Sequence, residues 1–361
     1  MSEEAVDHGI SRRGLLKLGG ATAGAMAVGG ALAACGSDDK ATTAVVVRDS
    51  AAAGNEAGSS DVDLRSIARG KSVGVIVLNA AAVTQGRGVK ELNRIAKTTG
   101  WNIDVFDAAN DLNKVPGSIN DFVTKGVDVI MPLVVPGVVL GDALKPAEKA
   151  GIPVIGVFTG PAPGMKARVE PSEFISEAKI GQYVLERMDF EGEIALLNWE
   201  KIPPLIQRGA QIRTMIKQFP AIRIVEDLTV EVPQIEDSKA KVSAFLPKHK
   251  NLKAIWCGWD EPAFGSNQAL KEAGRDDIFV VGCDGNLETF DAIRNGEPLA
   301  ATAANDIELM TRIAVRISDD VMAGRQYPVV TTVDSPFVSR ENVPEKGQYA
   351  QGVVTPFWTG S

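Results

Sequence analysis

Histidine, the side chain most often used as a general base, occurs twice in this chain, and neither copy is placed to act as one. His8 falls in a leader-like segment. His249 sits in Pro247-Lys248-His249-Lys250-Asn251, a charged loop with no apolar neighbours. Most Ser-His-Asp, Cys-His and His-ligated metal chemistry is thereby removed. The chain has no phosphate loop, no C-x-x-C, no H-E-x-x-H and no G-x-S-x-G string. The acidic loop Asp107–Asp111 lacks calcium-loop spacing. Asp260-Glu261 could supply an acid and a base, but neighbours where a strand meets a helix point apart, and helix-start carboxylates are favoured by the dipole. Cys257 and Cys283 lie near predicted strand ends, where a disulfide is conceivable and two buried thiols are the commoner outcome. The expectation is a protein that is not an enzyme, with no metal and no cofactor.

Binding chemistry is better represented. Three strings place polar or aromatic residues where a predicted strand gives way to a helix: Trp256-Cys257-Gly258-Trp259-Asp260-Glu261, Val281-Gly282-Cys283-Asp284-Gly285 and Ala301-Thr302-Ala303-Ala304-Asn305. The elements that must position them alternate in a regular rhythm. β-branched runs at Ser72–Leu78, Asn102–Phe106, Val127–Val134 and Pro153–Phe158 are separated by helical patterns at Thr84–Thr99, Leu112–Lys125 and Val138–Ala150. Thr84 is the expected N-cap of the first helix, and Gly100, Gly126 and Gly151 are the expected left-handed stops. The rhythm restarts with strands at Glu193–Asn198, Ile222–Val230, Lys253–Gly258, Ile278–Cys283 and Leu299–Ala303. An α/β fold class follows: two Rossmann-like lobes with parallel sheets flanked by helices, and a cleft where the carboxyl ends of their strands converge.

The first residues read as an address. Ser11-Arg12-Arg13-Gly14-Leu15-Leu16-Lys17 opens a Gly/Ala-rich stretch that ends at Leu32-Ala33-Ala34-Cys35. It resembles a twin-arginine signal closed by a lipoprotein box, which implies lipid on Cys35 and a protein held at the outer face of the cytoplasmic membrane. Residues 36–69, rich in Ala, Ser, Gly and Asp, are expected to form a flexible tether. The net charge of −8, with no Lys/Arg block in the mature chain, argues against nucleic acid as a partner.

From Ser72 to Val338 the order of segments resembles the type I periplasmic binding proteins, the ribose-binding proteins and their relatives. The strings that carry the resemblance are Val281-Gly282-Cys283-Asp284-Gly285 (family V-G-F-D-G), Asp260-Glu261-x-Ala263-x-Gly265 (N-D-x-M-A-x-G), Gln207-Arg208-Gly209 (R-x-R-G) and Leu299-Ala300-Ala301-Thr302 before a long helix. The resemblance implies a three-strand hinge crossed near Pro171-Ser172, Asn305 and Val330. The expected lobes are 70–172 plus 306–330 and 173–305 plus 331–345, with a tail at 346–361. It also implies a solute-binding subunit that captures a sugar-like small molecule for an ABC permease. A receptor-linked sensor of the same fold is the alternative. A repressor is not, because the signal and tether occupy the place of its DNA-binding segment.

Carried over by position, Asp284, Asn305 and Asn79 keep family contacts. Leu133 stands for an Asn, Phe158-Thr159 for Asp-Arg, Ile206 for a ligand-binding Arg, Trp259 for an Asn and Cys283 for a Phe. Trp199 and Trp259 could stack on an apolar ring face. Gln85 and Asp260 complete the expected site, and Arg87, Glu173, Asn198 and Glu200 are alternative polar contacts. A buried hydroxyl left unpaired costs ~1–3 kcal/mol, so these exchanges imply a ligand less polar than ribose.

Overall fold

The computed structural model describes residues 62–358. The arginine pair, Cys35 and the tether as far as residue 61 lie outside the described residues. The first lobe is built on strands β1 (Ser72–Val77), β2 (Asn102–Asp107), β3 (Val129–Leu133), β4 (Ile155–Val157), β5 (Ala167–Pro171), β11 (Val330–Asp334) and β13 (Val353–Trp358). Their order is β13-β11-β5-β4-β3-β1-β2. Pairing from β2 through β11 is parallel, and β13 runs antiparallel to β11. The second lobe holds β6 (Gly192–Asn198), β7 (Ile222–Thr229), β8 (Leu252–Cys257), β9 (Phe279–Asp284), β10 (Leu299–Ala304) and β12 (Phe337–Ser339), ordered β12-β10-β9-β8-β6-β7.

Each sheet is covered on both faces, which is why its strands read as continuous apolar runs. β1 and β3 bury nearly every residue. One face of the first sheet packs on α1 (Val83–Thr99) and α10 (Ile307–Met322) through Leu92, Ile95, Met310 and Ala314. The other face meets α2 (Val115–Lys125), α3 (Gly137–Leu140) and α4 (Lys145–Lys149) through Ile119, Phe122, Leu140 and Ala147. In the second lobe, α5 (Glu173–Arg187) and α6 (Pro203–Ile216) pack one face; α7 (Gln234–Phe245) and α8 (Asp260–Ala273) pack the other, with α9 (Leu287–Asn295) beside β10.

Gly100, Gly126 and Gly151 adopt positive φ as expected. Several expectations are corrected. α1 starts at Val83 with Ala82 at its N-cap, so Thr84 stands inside the first turn and caps nothing. The expected helix at Val138–Ala150 is two short helices joined by a 3-10 turn, with Pro146 in the first turn of the second. β11 pairs with β5, so residues 331–334 belong to the first lobe and the third crossing falls at Ser335-Pro336. The tail supplies β13 to the first sheet and is a fourth crossing. Residues 62–69 are not tether: Ile67 is buried, and Trp101 Nε1 donates to Ala68 O at 2.6 Å.

Candidate functional site

The strand ends of both sheets surround one cavity of about 410 Å³. The first lobe contributes the β1–α1 turn from Leu78 to Gln85, Asn110 after β2, Val134 after β3 and Phe158 after β4. The second contributes Trp199 after β6, Leu205 and Arg208 on α6, residues 232–236 after β7, Trp259 and Glu261 after β8, and Asp284 at the end of β9. This is where open α/β sheets place ligands.

Four residues on this wall have a positive φ without being glycine: Asn110 (65°), Val134 (56°), Phe158 (57°) and Asp284 (135°). For a β-branched residue such as Val134 this is an outlier, and strain of that kind gathers where backbone is held for a purpose. The next residue after Asp284 is Gly285 at φ 73°, where a Cβ would fall 2.4 Å from Ala304 Cβ.

Asp284 is the centre of a polar chain. Its Oδ1 accepts from Asn305 Nδ2 at 2.9 Å, and Asn305 Oδ1 accepts from Ser335 Oγ at 2.7 Å. Arg208 NH1 stands 3.5 Å from the same Oδ1. The Arg208 guanidinium is otherwise committed: Nε and NH2 donate to both oxygens of Glu173 at 2.6 and 2.7 Å, and NH1 donates to Gly258 O at 2.8 Å. Ser335, Asn305 and Glu173 each sit at a different hinge crossing, so this chain ties three crossings to the cavity floor. Burial pushes the Asp284 carboxyl well above the usual carboxylate range, against the pull of Arg208. Burial and the charge of Asp260 push Glu261 up to about 7.

Six expected residues meet on the cavity wall: Asn79, Gln85, Phe158, Trp199, Trp259 and Asp284. Gln85 Oε1 accepts the Asn79 backbone N–H at 2.9 Å, which shapes the β1–α1 turn. The other six do not line it. Leu133 and Cys283 are core residues, because side chains alternate along a strand and the neighbours of Cys283 in the lobe core take its side. Ile206 is 46% exposed: it lies two positions from Arg208 on α6, roughly the opposite face of a helix. Thr159 turns its hydroxyl to Gly160 O at 2.9 Å. Asp260 is buried, accepting from the Asn286 N–H at 2.7 Å and the Thr302 hydroxyl at 2.8 Å, while its neighbour Glu261 faces the cavity. Asn305 holds Asp284 from behind.

Of the alternative contacts, Glu173 pairs with Arg208, Arg87 with Glu308, and Glu200 with Arg213, while Asn198 Nδ2 donates to Leu205 O at 2.8 Å. Arg208, Glu261, Thr84 and the 232–236 loop are lining residues that sequence reasoning passed over. Helical period in the Gln207-Arg208-Gly209 string would have found Arg208; the 232–236 loop carries no such signal.

Cys257 and Cys283 are free and buried. His249 pairs with Glu226 at 2.9 Å, away from the cavity wall. Among the described residues no group of three His, Cys, Asp or Glu could hold a metal, and no helix is long and apolar enough to cross a membrane.

The model of a periplasmic binding protein domain matches residues 75–326. The xylitol-binding protein of Mycolicibacterium smegmatis is 26% identical over 335 residues, covering 90% of this chain and 86% of that protein. The ribose import binding protein of Bacillus subtilis is 23% identical over 251 residues, covering 68% of this chain and 79% of that protein. Among solved structures, an ABC transporter solute-binding protein from Agrobacterium vitis with bound allitol superposes with a TM-score of 0.71 at 24% identity, covering 76% of this chain and 97% of that one. One from Bacillus halodurans with bound myo-inositol gives 0.70 at 21%, covering 76% and 96%. With two α/β lobes meeting strand-end to strand-end over one cavity, the chain belongs to the periplasmic binding protein family.

Proposed function

We propose that this protein captures a sugar, polyol or less polar sugar-like ring compound in the interlobe cavity and delivers it to an ABC permease at the outer face of the cytoplasmic membrane. The observation that carries this reading is the composition of the wall. Asn79, Gln85, Asp284 and Glu261 offer a few convergent polar groups, and Trp199, Trp259 and Phe158 offer ring faces. A small hydroxylated solute needs both: hydrogen bonds for its hydroxyls and flat apolar surface for its C–H face. The names of the relatives, xylitol-binding and ribose import binding, support the same solute class. Lipid on Cys35 after twin-arginine export would keep such a protein beside its permease, and the Leu32-Ala33-Ala34-Cys35 ending supports it.

The test is mass spectrometry of solute released from purified protein, followed by a thermal-shift screen of polyols, pentoses, deoxy sugars and cyclitols. A ligand at a hundredfold its Kd adds ~2.7 kcal/mol of stability, a clear rise in Tm. Failure of every polyol and sugar to raise Tm would overturn the reading. Tight binding of an unmodified pentose would overturn its less polar part. Fatty-acid labelling that persists in C35A would overturn the anchor.

A further inference from the structure

Four ionisable side chains line the cavity: Arg208, Glu236, Glu261 and Asp284. One is a cation, and its donors already serve Glu173, Gly258 O and Asp284. No uncommitted positive charge therefore faces the cavity from its lining. Carboxyl groups outnumber cations on the wall, with Glu236, Glu261 and Asp284 against Arg208. Two acceptors on the wall lack partners. Glu261 Oε2 is buried with no hydrogen bond, and so is Thr84 Oγ1 across the cavity, on a residue 8% exposed. Beside these stand Trp199 and Trp259, whose ring faces attract organic cations as well as C–H surfaces.

We infer that the preferred solute carries a basic nitrogen: an amino sugar, an amino-polyol or an amino-cyclitol, whose ammonium group sits against Glu261 and Asp284 between the two tryptophans. This deepens the proposed function and rests on it. A protonated amine supplies the donors that Glu261 Oε2 lacks, and it offsets a charge imbalance that a neutral polyol would leave in place. The same imbalance repels acidic solutes, since a sugar acid or sugar phosphate would meet carboxylates and no free cation. Selection here acts through repulsion as much as attraction.

The inference carries a pH signature. Glu261 takes a hydrogen bond from the Val83 backbone N–H of α1 and feels the charges of Asp260 beside it on α8, Glu288 of α9 and Asp284 of β9. Burial first, and the charge of Asp260 second, make it hold its proton up to about 7. An ammonium ligand needs the carboxylate, so its binding tightens as pH rises from 6 to 8 and releases a proton. A neutral polyol shows no such gain.

Isothermal titration calorimetry on the full chain tests this with matched probes whose amines stay protonated at pH 8: D-glucitol, 1-amino-1-deoxy-D-glucitol and D-gluconate; xylitol and 1-amino-1-deoxyxylitol. The expected result is an amine at least tenfold tighter than its neutral parent at pH 8. The preference shrinks severalfold at pH 6, and the acid shows no binding. E261Q is expected to abolish the preference and its pH dependence, read as the ratio of amine to neutral-parent affinity within the same variant. A neutral parent that equals or exceeds its amine overturns this inference and leaves the importer reading standing, as does a preference that survives in E261Q. No binding by any probe overturns both.

Discussion

Asn305 donates from Nδ2 to Asp284 Oδ1 at 2.9 Å, which couples the residue where the chain leaves the second lobe to the carboxylate on the cavity wall. Asn305 in turn takes a hydrogen bond from Ser335, at another crossing. N305A leaves both partners short of a hydrogen bond and is expected to cost ~1–3 kcal/mol in urea denaturation. S335A is expected to cost less, and the double variant less than the sum. Additive losses would show that the three residues do not act as one chain.

The Arg208–Glu173 pair is nearly inaccessible to solvent and bidentate. R208M strands the Glu173 carboxylate and is expected to lose about 3–5 kcal/mol of stability. R208M/E173M should recover most of that loss, because the cost lies in the unpaired charge. Equal losses in the single and double variants would assign the effect to packing instead.

Trp199 and Trp259 line the cavity, whereas Trp101 and Trp256 are buried in the lobes. Solute entry is therefore expected to change emission chiefly through the first two. W199F/W259F should remove most of the fluorescence change and weaken binding, read by calorimetry, by about tenfold, roughly 1.4 kcal/mol.

Glu170 accepts from the Gly160 backbone N–H at 3.0 Å, and burial pushes its carboxyl from the ordinary 4.5 up to about 7, against the pull of Arg168. The folded state then binds the proton more tightly than the unfolded state. Its contribution is complete below pH 4.5 and is lost as pH rises through 7, a span worth about 3 kcal/mol. E170Q keeps the hydrogen-bonding shape without the titration, so its stability should fall less between pH 5 and 8 than that of the parent. Parallel pH–stability curves would refute the shift.

The tail lies across both lobes. Val343, Tyr349 and Ala350 pack on Phe290 and Ile293 of the second, and Arg87 of the first stacks its guanidinium 3.7 Å from the Tyr349 ring centre. Y349A is expected to cost ~1–2 kcal/mol and to speed hydrogen exchange along residues 340–352. Unchanged exchange there would deny the strap a mechanical role.

The architecture was legible because strands buried on both faces leave an unmistakable run, as Val73–Leu78 and Phe279–Cys283 do, and because amphipathic helices such as α10 separate them. What escaped detection has weaker local signals. β5 is five residues ending in Pro171, and β13 returns to pair with β11 only after the chain has visited the other lobe through β12. Half of the residues expected in the site reach the cavity wall. Strand-end positions such as Asp284 and Trp259 follow from alternation. Ile206 was the wrong face of a helix whose right face is Arg208. Thr84 was expected to cap α1, and it stands free because the helix begins one residue earlier. The positive φ of Val134 and Phe158, which helps to set the cavity wall, is a product of tertiary packing that no propensity announces.

The described chain enters and leaves through the same lobe. Ile67 packs into the first lobe's core near one end, and β13 joins its sheet at the other. A pair of fluorescent reporters placed at positions near residues 62 and 352 would therefore ride on one rigid body and stay blind to any movement of the jaws. A sensor built from this protein needs one dye inside residues 173–304, on the body that carries neither end.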